Sequence, residues 1–257
     1  MNTLSLTLHD SATMLRRDIR HSLRRFSITL SGIFVPVIMM LLFVYFFGGA
    51  IGGGIGSYID YVTPGIIIMT VGSGCATTAL NLCMDVSEGI ITRFRTMAIS
   101  RSSVLVGQVI GSLIRTMISI VLITLIALLI GFRPTGGPLA WLAAPGLIVL
   151  LILGVTWMGV AFGLVGKTPA GANSLALIFQ LLAFTSSAFV RPDSMPAGIR
   201  WFSEYQPFSP VIDTVRGLLL GTPIDGSRVI LALVWCIALI LVGYFWARAV
   251  YNRGSLK

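Results

Sequence analysis

The sequence has very few charged residues: nine acids and eighteen bases among 257 residues, or 11%, against about 25% in an ordinary soluble domain. A soluble fold of this length must cover its surface with polar groups, and so few charges exclude that arrangement. Hydrophobic residues make up 56% of the chain, and they lie in blocks long enough to cross a bilayer, which takes about 20 residues in a row. The composition therefore predicts that lipid covers the apolar surface.

Catalytic and metal-binding patterns are also missing. The cysteines, Cys75, Cys83 and Cys236, fall inside apolar blocks without a two-cysteine metal spacing, so we interpret them as buried small hydrophobes. Neither an H-E-x-x-H nor a G-x-S-x-G motif occurs. The stretch over 161–168 differs from a phosphate-binding loop by one residue, but a predicted span precedes it and Pro169 removes an N–H where phosphates need donors. We interpret it as a turn, and we predict a non-enzymatic chain that binds no cofactor itself.

The net charge of +9 does not indicate nucleic-acid binding, because the bases form no single face or stripe. They lie between six apolar blocks, which cover residues 28–47, 61–84, 104–130, 139–165, 170–190 and 229–247. With the N-terminus inside, the inner segments carry twelve Lys and Arg and the outer segments five, with Arg115 left out because it lies within a block. The excess predicts an all-α polytopic membrane protein with six transmembrane helices and both termini inside.

The first 27 residues are polar but place apolar residues on one helical face between positions 8 and 26. Arginines occupy the rest of the last three turns. A basic amphipathic helix before a span is typical of one that lies in the membrane interface. We therefore predict a cytoplasmic interface helix over 1–27, followed by a transmembrane domain over 28–257; a solvated helix or a disordered tail is the alternative.

Glycine and proline positions predict helix ends and helix contacts. The glycine-rich stretch over 48–57 predicts an outer turn, and Pro64 is expected in the first turn of the second span. Two glycine pairs at a spacing of four, Gly107 with Gly111 and Gly159 with Gly163, suit close contacts between spans. Glycine is common in membrane helices, so each pair is equally compatible with no interface.

Two hydrophilic connections differ from simple loops. The loop over 85–103 is cytoplasmic and keeps a helical spacing of apolar residues, so it could dock into a groove on a soluble partner; an inert connector is the alternative. The long outer connection over 191–228 is too apolar for a free loop and too rich in proline for a seventh span. Such irregular backbone is tolerated at membrane depth only where protein or water covers it. Within it, Asp213 and Arg216 are spaced to pair on one helix.

Ionisable groups are scarce within the apolar blocks. Arg115 is the one candidate deep in a span, where it either snorkels to the inner surface or lines a substrate path. Asn81 and Gln180 are the other residues that we assign to this candidate path. The scarcity of deep ionisable groups argues against a proton- or sodium-driven carrier, and an ion-coupled secondary transporter is the alternative function.

Three stretches of the chain occur in a characteristic order: Tyr58-x-x-Tyr61-x-x-Pro64-Gly65, then Asp85-x-x-Glu88-Gly89-Ile-Ile-x-Arg93-Phe94-Arg95, then Gln206-Pro207-x-Ser209-Pro210-Val-Ile-Asp213-x-x-Arg216. In these stretches the chain resembles the ABC-2-type permease family, and within it the daunorubicin-resistance group of drug exporters. The resemblance covers nearly the whole length.

The resemblance implies short re-entrant helices over about 197–220 and a cytoplasmic coupling helix over about 86–95. Residues of the coupling segment would contact an ATPase subunit: Asp85, Glu88, Gly89, Arg93, Phe94 and Arg95. Residues of the re-entrant segment would form an outer gate: Pro207, Pro210, Asp213 and Arg216. Arg191 departs from the family pattern, in which we expect an apolar residue.

The resemblance also implies the partners and the location. Two such permeases, identical or paralogous, pair with two separate ATPase subunits, which hold ATP and magnesium. The complex would lie among the lipids of a bacterial cytoplasmic membrane. It would move a small hydrophobic or lipid-like substrate, such as an amphipathic drug, out of the cell.

Overall fold

The computed structural model describes residues 26–48, 54–89, 101–190 and 192–253. Within those ranges the regular elements are helices and there is no strand. The α-helices are numbered in chain order: α1 Phe26–Leu42, α2 Gly54–Ser87, α3 Arg101–Ile130, α4 Pro138–Val165, α5 Pro169–Phe184, α6 Ala197–Tyr205, α7 Phe208–Leu220 and α8 Gly226–Arg253. A π-helical stretch, Phe43–Phe47, continues α1, and a 3-10 turn, Pro192–Ser194, precedes α6.

Four helices of the described chain are long and apolar enough to cross a membrane. The stretches concerned are Tyr58–Ser87 in α2, Leu105–Ile130 in α3, Pro138–Val165 in α4 and Gly226–Asn252 in α8. Two shorter apolar stretches, Phe34–Phe46 and Pro169–Phe184, correspond to the first and fifth predicted spans. Helices suit hydrocarbon because their backbone groups find partners within the segment. The predicted all-α fold is confirmed, and the count of six crossings stays a prediction.

The second span begins earlier than predicted. Because α2 starts at Gly54, the turn over 48–57 is shorter than expected, and Pro64 lies ten residues inside the helix instead of in its first turn. Tyr58 and Ile59 are buried, with exposed fractions of 6% and 1%. Their burial offsets the roughly 1 kcal/mol that each helical glycine costs relative to alanine.

The fifth span ends earlier than predicted. Helix α5 stops at Phe184, although the apolar block continues for six more residues. The Thr185 hydroxyl donates to the carbonyl of Leu181 (3.1 Å), and the Ser186 hydroxyl bonds a carbonyl of the last turn in the same way (2.6 Å). Such side-chain bonds offer the backbone an alternative to the helix. Residues 185–190 therefore form an irregular segment, named here the α5 tail.

The helices form an inner and an outer layer. In the most apolar stretches of α2 and α4, 67% of the residues are buried, against 22% in α3 and 17% in α8. Helix α2 contacts α1, α3, α4, α5 and α7, so it occupies the centre of the bundle. The largely exposed faces of α3 and α8 carry apolar side chains, as expected of surfaces that lipid covers.

One predicted glycine pair is confirmed as a helix contact. A Cβ atom added at Gly159 would lie 2.9 Å from the carbonyl oxygen of Cys75, and one at Gly163 would lie 2.8 Å from that of Ala79. These distances are too short for a real side chain, so the two glycines let α4 lie against the backbone of α2. For the pair in α3, both glycines are buried, and the close contact stays a prediction.

The two ends of the bundle differ in structure. At one end, named here the α7 end, lie the start of α2, the connection over 131–137, the α5 tail, α6 and α7; hydrogen bonds join these segments apart from α6. At the opposite end, α4 and α5 meet in a tight turn, where the Thr168 hydroxyl caps α5 by accepting from the N–H of Gly171 (3.1 Å). The stretch over 161–168 is thus the end of a helix followed by a turn, as predicted.

Some predictions fall outside the described residues. These are the interface helix up to residue 25, residues 90–100 of the coupling loop and Arg191. The interface helix, the coupling helix and the departure at Arg191 stay predictions.

Candidate functional site

Arg216 lies at the centre of a polar cluster at the α7 end. Its guanidinium group donates to the Asp213 carboxylate (2.9 Å), to the carbonyl of Tyr61 (3.2 Å) and to the carbonyl of Ser187 (2.8 Å). The same group lies over the Tyr61 ring, 3.9 Å from its centroid, a distance at which an aromatic face attracts a cation. One side chain of α7 thus joins the start of α2 to the α5 tail. We name these four residues the Arg216 cluster.

Further hydrogen bonds close the cluster. The Tyr61 hydroxyl donates to the carbonyl of Ser187 (2.9 Å), and the Ser187 hydroxyl donates to the Asp213 carboxylate (2.7 Å). The N–H of Ser187 donates to the hydroxyl of Ser209, in the first turn of α7 (3.0 Å). Irregular backbone in a membrane protein needs such internal partners. The cluster therefore stabilises the α5 tail in its non-helical form.

Gly65 allows the α5 tail to lie directly against α2. A Cβ atom added at Gly65 would lie 2.6 Å from the Cα atom of Ala188, so any side chain at this position would displace the tail. Nearby, the Tyr58 hydroxyl donates to the carbonyl of Phe189 at 3.4 Å. The stretch Tyr58-x-x-Tyr61-x-x-Pro64-Gly65 is thus a docking surface for the α5 tail.

The predicted gate residues have two different roles in α7. Pro207 directly precedes the helix and Pro210 lies in its first turn, where a missing N–H costs no helical hydrogen bond. Gly221 ends the helix with φ +63°, the left-handed conformation that glycine favours. The prolines therefore fix where α7 begins, whereas Asp213 and Arg216 form the predicted pair and belong to the cluster.

The connection over 131–137 holds the other end of α7. The N–H of Gly136 donates to the carbonyl of Leu219 (2.9 Å), and the Thr135 hydroxyl donates to that of Leu220 (2.6 Å). The last carbonyls of a helix have no partner within it, so these bonds satisfy groups that would otherwise be unpaired. A Cβ atom at Gly136 would collide with the carbonyl of Leu218. Helix α7 is therefore fixed at both ends.

Helix α6 is fastened to α8 instead. Arg200 and Glu204 form an ion pair on α6 (2.8 Å), and Arg228 donates to the carbonyl of Glu204 (2.9 Å). The indole N–H of Trp235 donates to the carbonyl of Tyr205 (2.9 Å). Residues 206–207, named here the elbow, thus connect α6, which α8 holds, to α7, which α2 holds.

Asp225 caps the start of α8. Its carboxylate accepts from the hydroxyl (2.7 Å) and from the N–H (3.0 Å) of Ser227. These hydrogen bonds, together with the nearby charge of Arg228, lower the pKa of the Asp225 carboxyl below its ordinary value. Helix α8 therefore begins at a defined point after α7.

Two buried polar side chains lack partners at the elbow between α6 and α7. Gln206 is 4% exposed and Ser203 is fully buried. Neither the Gln206 amide nor the Ser203 hydroxyl has a hydrogen-bond partner within the described chain. A buried group left in this state costs about 1–3 kcal/mol. A water molecule or a ligand that bonds the amide would therefore stabilise the elbow.

At the opposite end, α2 continues into the predicted coupling segment. Asp85 is half-buried within the helix, Glu88 is exposed on the turn that follows, and Gly89 has φ +68°. Glycine in this conformation commonly ends a helix. Three further predicted coupling residues lie outside the described part of the chain: Arg93, Phe94 and Arg95.

The predicted path residues lie on three helices, each half-buried: Asn81 on α2, Arg115 on α3 and Gln180 on α5. Because α3 begins at Arg101, Arg115 lies fourteen residues from the start of the helix, or about 21 Å. Arg115 therefore lies near the middle of α3. Both alternatives, snorkelling and lining a path, stay predictions.

A polar seam between α2 and α3 was missed in the sequence. The hydroxyl groups of Thr78 and Ser112 are 2.5 Å apart. A Cβ atom added at Gly74 would lie 2.9 Å from the hydroxyl of Thr116, so the two helices are in close contact. On α3, the buried Gln108, Ser112 and Thr116 recur every four residues, a spacing that indicates one helical face. That spacing is the signal that could have revealed the seam.

Replacing Arg216 is expected to lower stability more than replacing its partner. Arg216→Gln removes the bonds to two carbonyls as well as the ion pair, whereas Asp213→Asn removes the negative charge alone. Hydrogen bonds to charged groups contribute about 1.5–3 kcal/mol each. In thermal unfolding of the purified chain in detergent, Arg216→Gln should therefore have a lower unfolding temperature than Asp213→Asn. The double variant should lose less stability than the sum of the two single losses.

The matched control is Arg200→Gln, which removes an exposed ion pair worth at most about 1 kcal/mol. If Arg200→Gln and Arg216→Gln lost similar amounts of stability, the central place of Arg216 would be contradicted. The same holds if the stability loss of the double variant equalled the sum of the losses of Arg216→Gln and Asp213→Asn.

Comparison with known proteins relates this architecture to a family. The family model described as ABC-2 type transporter matches residues 10–220. The chain is 30% identical over 217 residues, 83% of this chain and 75% of the relative, to the daunorubicin resistance ABC transporter permease protein DrrB1 of Streptomyces coeruleorubidus.

Other relatives include permeases from mycobacteria and algae. The chain is 25% identical over 197 residues (76% of this chain, 70% of the relative) to a probable doxorubicin resistance ABC transporter permease protein DrrC of Mycobacterium tuberculosis. It is 28% identical over 205 residues (76% and 69%) to a putative transport permease, ycf38, of Cyanophora paradoxa. The family match and the multi-pass helical fold agree, and the chain belongs to the ABC-2 type transporter family of membrane permeases.

Proposed function

We propose that the chain is the membrane subunit of an ATP-driven exporter that moves an amphipathic drug, a lipid or a similar hydrophobic compound outward. Relatives named for daunorubicin and doxorubicin resistance support a drug-like substrate. Two separate ATPase subunits hold ATP and Mg²⁺, and a second permease copy or a paralogue completes the complex. Helices α1 and α5 complete six crossings of a bacterial cytoplasmic membrane, with both chain ends inside.

The continuity of α2 carries this proposal. Tyr61 of the Arg216 cluster lies near one end of the helix, and Glu88 lies on the turn at the other. The two residues are 27 positions apart, or about 40 Å along a helix. One rigid element thus links the ATPase-facing segment to the α7 end. Rigid secondary elements are among the structures that couple distant sites in proteins.

The transport step follows from that link. An ATPase subunit that binds residues 85–95 pulls the inner end of α2. Because the carbonyl of Tyr61 moves with α2, its bond to Arg216 changes, and the α5 tail and α7 rearrange together. An outward route opens between them. ATP drives the change because it binds the outward-favouring state more tightly, which is the only way in which a ligand shifts an equilibrium.

The unpartnered amide of Gln206 lowers the free energy needed to open the gate. In the closed state the amide is buried without a partner, which costs about 1–3 kcal/mol. Opening the elbow between α6 and α7 lets water reach the amide and removes that cost. The cluster favours closure and the amide favours opening, so a modest input from ATP suffices to change the state.

The route lies beside α2, between the coupling turn and the Arg216 cluster. Asn81 and Gln180 offer neutral hydrogen-bonding groups, and Arg115 offers a charge, within largely apolar helices. Sites for small molecules are mostly apolar and carry a few polar groups that fix orientation. This combination suits an amphipathic substrate.

Substitutions in the coupling segment should separate the permease from its ATPase. In the double variant Glu88→Gln, Arg93→Gln, we expect weaker co-purification of the ATPase subunit and weaker export, because charges at an interface set its register. Helical content in detergent should not change, since Glu88 is exposed. The matched control is Lys167→Gln, an exposed charge at the same end. Complex formation and export that survive the double substitution would refute the coupling assignment.

The energy source separates this proposal from an ion-coupled carrier. Export from cells should stop when ATP is depleted and should continue when a protonophore collapses the proton gradient while ATP is maintained. The opposite pattern would favour the ion-coupled alternative.

Gln206→Leu should stabilise the closed gate. An apolar side chain of similar size removes the unsatisfied amide, so we expect a higher unfolding temperature and slower export. Gln108→Leu is the matched control: it removes another buried, unpartnered amide nitrogen, far from the gate, and should raise stability without slowing export. Faster export by Gln206→Leu, or equal slowing in both variants, would contradict the role of the elbow.

A further inference from the structure

A cavity of about 340 Å³ lies at the end of the bundle opposite the Arg216 cluster. It lies between the start of α3, the second half of α4 and the last turns of α8. Its wall consists of Leu105, Val106, Trp157, Tyr244, Arg248, Tyr251 and Asn252. None of these residues belongs to the Arg216 cluster, to the coupling segment or to the candidate path.

The fold makes one wall of this cavity rigid. Gly243 brings α8 close to α4, because a Cβ atom added there would lie 2.8 Å from the Cβ atom of Trp157. The rings of Trp157 and Tyr244 then meet edge to face, with centroids 5.1 Å apart and an interplanar angle of 87°. Aromatic pairs favour this geometry. The aromatic wall is therefore preformed.

Polarity changes along the cavity in the direction of the membrane normal. The apolar block of α8 ends at residue 247, and Arg248 and Asn252 follow it, so the mouth lies where hydrocarbon gives way to headgroups. Arg248, one turn deeper, is exposed. Tyr244 lies eight residues from Asn252, about 12 Å further in. The cavity thus has a polar, positively charged mouth and an aromatic, apolar interior.

We propose that this cavity binds one anionic phospholipid. The headgroup phosphate lies at Arg248 and Asn252, and the upper part of an acyl chain lies against Trp157 and Tyr244. Three features carry the assignment: among the described residues none that lines the cavity is acidic, guanidinium groups bind phosphate strongly, and basic pockets between spans recognise anionic headgroups. The volume also lies within the usual range for ligand sites, about 300–1,000 Å³.

This inference depends only on the chain spanning a membrane, so it stands independently of the proposed export. Quenching of tryptophan fluorescence tests it. The full chain is reconstituted into phosphatidylcholine vesicles that contain either phosphatidylglycerol or extra phosphatidylcholine, brominated on the acyl chains at equal density. Brominated phosphatidylglycerol should quench more strongly, and Trp157→Phe should abolish the difference.

Charge substitutions locate the phosphate. Arg248→Gln should raise the phosphatidylglycerol content needed for half-maximal quenching about fivefold, the factor that corresponds to about 1 kcal/mol for one cation at a membrane surface. Arg248→Lys should keep most of the preference. The matched control, Arg133→Gln, removes an exposed cation at the α7 end and should have no effect.

Several results would overturn the proposal. These are equal quenching by the two brominated lipids, a folded Arg248→Gln variant with unchanged quenching, and equal effects of Arg248→Gln and Arg133→Gln. Relief of quenching by inorganic phosphate would assign the site to free phosphate instead of a lipid. If Arg248→Gln does not fold, the comparison of lipids in the unaltered chain and in Trp157→Phe decides the question.

Discussion

The guanidinium group of Arg216 is the interaction on which the α7 end of this protein depends. Within a membrane, backbone groups outside regular helices must find partners in the protein itself. Arg216 provides one for the carbonyl of Ser187, also bonds the carbonyl of Tyr61 in α2, and neutralises Asp213 at the same time. Short helices and an irregular tail can therefore exist beside long spans. Without this cation, Ser187 would keep its hydrogen bonds with Tyr61, Asp213 and Ser209, but the three segments would lose the charged group that contacts all of them.

In the proposed mechanism, a long helix links this local cluster to the opposite end of the bundle. Helix α2 is central and largely buried, and it extends without interruption from the cluster to the turn at Glu88. Glycines at Gly65 and Gly159 keep its neighbours in backbone contact, so they follow its displacement. The unpartnered amide of Gln206 opposes the closed arrangement. The proposed gate therefore depends on a rigid helix and on two opposing local contributions. The Arg216 cluster favours the closed arrangement, and the Gln206 amide favours the open one.

Local patterns predicted much of this structure. Apolar blocks located the long helices, the resemblance to the family implied short helices over about 197–220, and the spacing of Asp213 and Arg216 predicted their pair. The α5 tail was not predictable, because apolar composition continues through it and hydroxyl groups of Thr185 and Ser186 end the helix. The hydrogen bond between Arg216 and Tyr61, which are 155 residues apart, was not predictable either, because a single long-range hydrogen bond leaves no periodic pattern in the sequence.

The central claim is that α2 transmits force as one rigid element. It is tested by the ratio of substrate exported to ATP hydrolysed in proteoliposomes that contain the complete complex. A glycine pair, Ala76→Gly with Thr77→Gly, softens α2 near the midpoint between Tyr61 and Glu88, and the exposed pair Leu241→Gly with Val242→Gly softens α8 as the control. The account predicts that only the pair in α2 lowers the ratio while ATP hydrolysis continues. An unchanged ratio in that variant would contradict it.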